Sequence, residues 1–100
     1  MHSMDNVKKL PALSRIDGGK FNQFFTYDQA ALADGAIPAK YKELIALGVA
    51  LTTQCVYCLE LHKKAAVKAG ATQEEIAETI HVAAALRAGA ALTHGTHLLD

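Results

Sequence analysis

Apolar residues recur along this chain at helical spacing, and no segment alternates cleanly enough to read as a strand. Residues 1–19 read as an irregular arm ending at Gly18-Gly19. A first helix is predicted from about Lys20 to Ala33, with Gly35 beyond its end. Pro38 fits the first turn of a second helix, which carries "AKYKELIALGVALT". Thr52-Thr53-Gln54 predicts a break, because threonine is a weak helix former and a good cap. A third helix then runs from near Cys55 to Gly70. Thr72 and Glu75 form a capping box that opens a fourth, reaching about His94. The reading is all-α: an arm over 1–19 and one helical domain over 20–100.

Composition sharpens this. Ten basic and ten acidic residues cancel, and no basic stripe is present, so nucleic acid is not an expected partner. The longest apolar run, "LIALGVAL", is far short of the ~20 residues a spanning helix needs, so no membrane partner is expected. The first residues lack the apolar stretch of a signal peptide. A cytoplasmic location is the expectation, and thiols there stay reduced. The 19 alanines bury little area each, and a chain this short buries only ~60–65% of its unfolded surface. The fourth helix is apolar almost all round: Ile76, Ile80, Val82, Ala83, Leu86, Ala90. Covering it on every side calls for a second subunit. His81 points away from Ile76, Ile80 and Ala83, toward a surface or an interface.

The only two cysteines lie together in "TTQCVYCLELH". On a helix, Cys55, Cys58 and His62 fall within an arc of about 60°, on the apolar side and opposite Glu60, Lys63, Lys64 and Lys68. The first helical turn favours a thiolate. His62 stands one turn beyond Cys58, placed to exchange its proton. Two thiols and a base make a minimal dithiol–disulfide machine. Metal binding and simple packing remain open on spacing alone. His94 and His97 could complete a zinc set with the three, which makes a non-catalytic zinc-binding or redox-sensing module the alternative. Glu43 precedes the apolar run of the second helix, in which Leu44, Ile45, Leu47 and Val49 are expected to face the core. If the chain folds back at Thr52-Thr53-Gln54, its carboxylate reaches the His62 and Cys58 face and can serve as proton sink.

A helical Glu43, then Cys55-x-x-Cys58-x-x-x-His62, then "AAVKAGATQEEI" resembles the carboxymuconolactone decarboxylase superfamily, within it the alkylhydroperoxidase D-like branch. The similarity spans roughly residues 20 to 99. It implies an alkylhydroperoxidase D-like helical fold, assembled as a hexamer or else a trimer. It implies a thiol-dependent peroxidase: Cys58 attacks the hydroperoxide, Cys55 resolves it as a disulfide, and Glu43 and His62 relay the proton. An outside dithiol, of protein or lipoyl type, would complete the cycle, with no metal or organic cofactor. The best-studied members carry a second histidine where this chain has Tyr57. A lactone decarboxylase is the further alternative, although such enzymes usually lack the paired cysteines.

Overall fold

The computed structural model describes residues 2–100, and every regular element among them is helical. Five α-helices follow in order: α1 (Leu10–Ile16), α2 (Lys20–Leu32), α3 (Ala39–Thr53), α4 (Val56–Lys68) and α5 (Gln73–Gly95). A 3-10 segment, Met4–Lys9, leads into α1, and another, Thr96–Leu98, follows α5. Helix α3 lies at the centre and packs on both α4 and α5. Among the described residues no helix is long and apolar enough to cross a membrane.

The N-terminal arm is the main departure from expectation. Residues 4–16, read as irregular, are helical. Ser3 Oγ accepts the Asp5 N–H at 3.3 Å and starts the 3-10 segment, and a proline stands in the first turn of α1, where its missing N–H costs nothing. The turn into α2 is built by Asp17. Its carboxylate accepts the N–H groups of Gly19 and Lys20 at 2.9 Å and of Phe21 at 3.1 Å, while Gly18 and Gly19 take positive φ values that side chains resist. Buried Ser14 ties α1 to α2, its hydroxyl accepting the Asn22 N–H at 3.2 Å.

Other boundaries fall within a residue or two of expectation. Pro38 is the residue before α3, and Asp34 supplies a cap to the Ala39 N–H at 2.6 Å. The break after α3 sits at Gln54, which adopts the left-handed conformation (φ 59°, ψ 41°). A non-glycine residue there carries a cost, tolerated because the turn closes α3 against α4. Gly70 ends α4 with φ 99°, and Ala71 N–H returns to the Ala66 carbonyl at 2.9 Å, as in a Schellman motif. The capping box of Thr72 and Glu75 is formed in both directions, at 3.1 and 2.9 Å. Lys40 reaches Glu75 at 2.9 Å and pins the start of α3 to the start of α5. That hydrogen bond holds the Glu75 carboxyl below its ordinary range and the Lys40 ammonium above its own.

The interior of the chain is small: Leu47, Ala50, Ala66 and Ala83 are the buried apolar residues among those described. Ile45 and Val49, read as core-facing, are 53% and 56% exposed. The side of α3 that turns inward instead carries Glu43, Leu47 and Ala50, three and four residues apart. Only Ala83 of α5 is buried within the protomer, with Leu86 67% and Leu92 77% exposed. His81 is exposed, as its position on α5 led one to expect.

Candidate redox site at the start of helix α4

The turn at Gln54 folds α4 back along α3. Along a continuous helix Glu43 and Cys55 would stand ~18 Å apart. With α3 and α4 folded against each other, Glu43 Oε2 lies 2.6 Å from His62 Nδ1. The pair is largely sheltered, the two side chains being 12% and 22% exposed. A short bond in such surroundings fixes the imidazole ring and commits Nδ1 to the carboxylate, so Nε2 is the ring nitrogen outside that bond.

Cys55 is the N-cap of α4 and Cys58 lies in its first turn. Cys55 Sγ accepts the Cys58 N–H at 3.3 Å, taking the place a serine oxygen usually fills. The two cysteines form a disulfide, with their Cα atoms 5.3 Å apart. His62 follows Cys58 by one turn on the same half-buried side of α4, and Glu43 approaches that side from α3. Cys55, Cys58 and His62 thus share the first two turns of α4, and Glu43 meets His62 across the α3–α4 packing.

The two sulfurs have different surroundings. Cys58 lines a cavity of about 620 Å³ between α4, α2 and the N-terminal segment; Cys55, His62 and Glu43 do not line it. Its walls include Leu10, Phe21, Phe24, Phe25, Tyr57 and Leu61. Apart from Tyr57, these were not singled out by sequence reasoning, although Phe21, Phe24 and Phe25 at i, i+3 and i+4 are a visible stripe. The rings of Phe24 and Phe25 each stand 6.1 Å from that of Phe21. Tyr57 occupies the position before Cys58, and its hydroxyl accepts a hydrogen bond from Asn6 Nδ2 at 3.0 Å. His2 packs edge-on against the Tyr57 ring at 4.6 Å and approaches Glu60 at 3.6 Å, so the N-terminal segment is fastened to α4 beside Cys58.

His94 and His97 are not part of this site. Their rings meet each other at 5.2 Å at the far end of α5, and no group of three or more His, Cys, Asp or Glu side chains among the described residues converges as a metal-binding set.

Comparison with known proteins places this arrangement. Residues 21–100 match the model of the carboxymuconolactone decarboxylase family. A protein of Paracoccus denitrificans, known as uncharacterized protein 4 in the cox locus, is 44% identical over 86 residues, which is 86% of this chain and 78% of that protein. An uncharacterized protein of Cupriavidus necator is 32% identical over 75 residues, 75% of this chain and 66% of the relative. The crystal structure of a carboxymuconolactone decarboxylase family protein from Legionella pneumophila, in its apo form, superposes with a TM-score of 0.77 at 34% identity, covering 90% of this chain and 80% of that one. A match over four-fifths of the sequence, together with an all-helical fold shared at that level of identity, makes this chain a member of the carboxymuconolactone decarboxylase family.

Proposed function

We propose that the protein is a thiol-dependent peroxidase, or dithiol–disulfide oxidoreductase, working through Cys58 and Cys55 with Glu43 and His62 as proton relay. The observation that carries this reading is the meeting of a first-turn disulfide with a sheltered Glu43–His62 pair across one turn. In the reduced enzyme the Cys58 thiolate attacks the terminal peroxide oxygen. The O–O bond breaks, Cys58 becomes a sulfenic acid, and the alkoxide leaves with a proton delivered through His62. The Cys55 thiol then displaces hydroxide from that sulfur, forming the disulfide and releasing water. One hydroperoxide is reduced by two electrons, and an external dithiol restores both thiols. Cys58 takes the nucleophilic role because it lines the cavity, whereas Cys55 Sγ faces the backbone of the first turn.

Anaerobic thiol titration tests the reading. Two thiols per reduced chain are expected before one equivalent of cumene hydroperoxide is added, and none afterwards, with one equivalent of the alcohol formed. Thiols that persist, or that vanish without stoichiometric alcohol, would overturn it.

We further propose that the protein works as a homo-oligomer, a trimer or hexamer. Its radius of gyration is 16.7 Å, whereas a compact chain of this length has one of ~13 Å. An apolar groove of about 530 Å³ runs between α3 and α5, lined by Ile45, Val49, Val82 and Leu86 among others. A second copy packed there would cover that apolar face, with Tyr41, Thr52, Glu78 and Thr79 among its lining left to find polar partners. Light scattering is expected to give a multiple of 10.6 kDa at micromolar concentration; the protomer mass itself would overturn the proposal.

A further inference from the structure

The cavity beside Cys58 has a composition that says more than its volume. At about 620 Å³ it has the size of a small-molecule pocket, far larger than hydrogen peroxide needs. Four elements build it: Val7 from the first 3-10 segment, Leu10 from the start of α1, Phe21, Phe24 and Phe25 from α2, and Leu61 from α4. Its polar lining is Asn6, Asp28 and Tyr57, with no lysine, arginine or histidine among them. An anionic ligand therefore meets no counter-charge there and meets the Asp28 carboxylate instead. The Tyr57 hydroxyl already accepts a hydrogen bond from Asn6, so its own proton is the one to offer to a ligand oxygen.

Taking Cys58 as the attacking thiol, as proposed above, we propose that this cavity is a specificity pocket for an uncharged, apolar organic hydroperoxide. Phe21, Phe24 and Phe25 hold the hydrocarbon, Tyr57 donates to the peroxide end, and Asp28 turns away carboxylated substrates such as fatty-acid hydroperoxides. The aryl or branched-alkyl portion of the ligand replaces water against the phenylalanine rings, the term that drives binding in such a site. A carboxylate brought into the same walls would lose its hydration without a partner and would face a like charge.

Binding can be measured without turnover, on the disulfide form of the full chain. The probes are 2-phenyl-2-propanol, the alcohol left when cumene hydroperoxide is reduced, and its para-carboxylated analogue, each titrated while the ring resonances of Tyr57 and the phenylalanines are followed by NMR. The neutral alcohol is expected to shift those signals and to bind at least about tenfold more tightly than the carboxylate. Phe24→Ala should weaken the neutral probe about five- to tenfold, and Asp28→Asn should narrow the discrimination to about threefold. If Phe24→Ala does not fold, Phe24→Leu keeps most of the volume without the ring and carries the same readout. Equal binding of both probes, discrimination that survives Asp28→Asn, or shifts confined to the α3–α5 groove would overturn the proposal. So would a Phe24→Ala effect on assembly mass with no probe-induced shift in the wild type, since the cavity would then be filled by a second copy. The two readings fail separately. Probe binding without peroxide-dependent thiol loss removes the peroxidase and keeps the pocket; thiol loss at similar rates with every peroxide, and no probe binding, removes the pocket and keeps the peroxidase.

Discussion

Cys58→Ser is expected to abolish hydroperoxide turnover, lowering it on the order of 10³-fold or more, as losses of a nucleophile do. Serine at this position keeps the first turn of α4, since the residue contributes its backbone N–H to Cys55 Sγ and not its side chain. Folding and assembly should therefore persist. Cys55→Ser should behave differently. Its hydroxyl can still cap the helix, and Cys58 can still attack, but no second thiol remains to displace water from the sulfenic acid. One hydroperoxide should be consumed per chain and a sulfenic acid should accumulate, trapped by dimedone and seen by mass spectrometry. The asymmetry is the point of the test. If Cys55→Ser is the silent variant and Cys58→Ser the one that forms a sulfenic acid, the roles are reversed. If both variants turn over at the parent rate, the thiols are not the reacting groups.

That asymmetry was only partly legible in the sequence. Three of the four candidate residues could be picked out from spacing, because a helix places positions i, i+3 and i+7 on one side and Cys55, Cys58 and His62 obey that rule; Glu43 joined them only on the condition that the chain folds back. The Thr52-Thr53-Gln54 break was readable from weak helix formers, and its consequence, Glu43 beside His62, followed once the chain turned. What separates Cys58 from Cys55 is the cavity, and its N-terminal wall comes from segments with weak local signals. Met4–Lys9 and Leu10–Ile16 are short, and the second carries Pro11, so periodicity could not reveal them; they are ordered by Asp17 and by Tyr57, fifty-one residues from Asn6 in sequence. The inward side of α3 was misjudged at Ile45 and Val49 for a related reason. A uniformly apolar helix has no polar face to orient it, so packing on α4 and α5 decides, and it turned Glu43, Leu47 and Ala50 inward. The same uniformity on α5 announces burial without saying against what.

Glu43→Gln is expected to lower peroxide turnover by about 10²-fold, the usual scale for one general acid–base group. The substitution is close to isosteric, and the glutamine amide oxygen can still accept from His62 Nδ1–H, so the ring should keep its place. What is lost is the negative charge beside the imidazole. Without it, the imidazolium that forms when His62 takes the Cys58 proton has no partner in a sheltered site, and the same proton is harder to hold for the departing alkoxide. Replacing a buried carboxylate by a neutral amide of the same shape removes a desolvation cost, so stability should change by no more than about 1 kcal/mol. Thermal unfolding and light scattering should match the parent protein. The Cys55–Cys58 disulfide should still form with a strong oxidant such as diamide, because the cysteines are already within bonding reach and that route does not use the relay. Slow peroxide reduction combined with normal folding and normal disulfide closure would mark Glu43 as the charge behind the proton transfer. Parent-rate turnover in a folded, assembled Glu43→Gln protein would instead make Glu43 an anchor for the His62 ring alone, and Glu43→Ala, which removes the anchor as well, would then be the variant that loses activity.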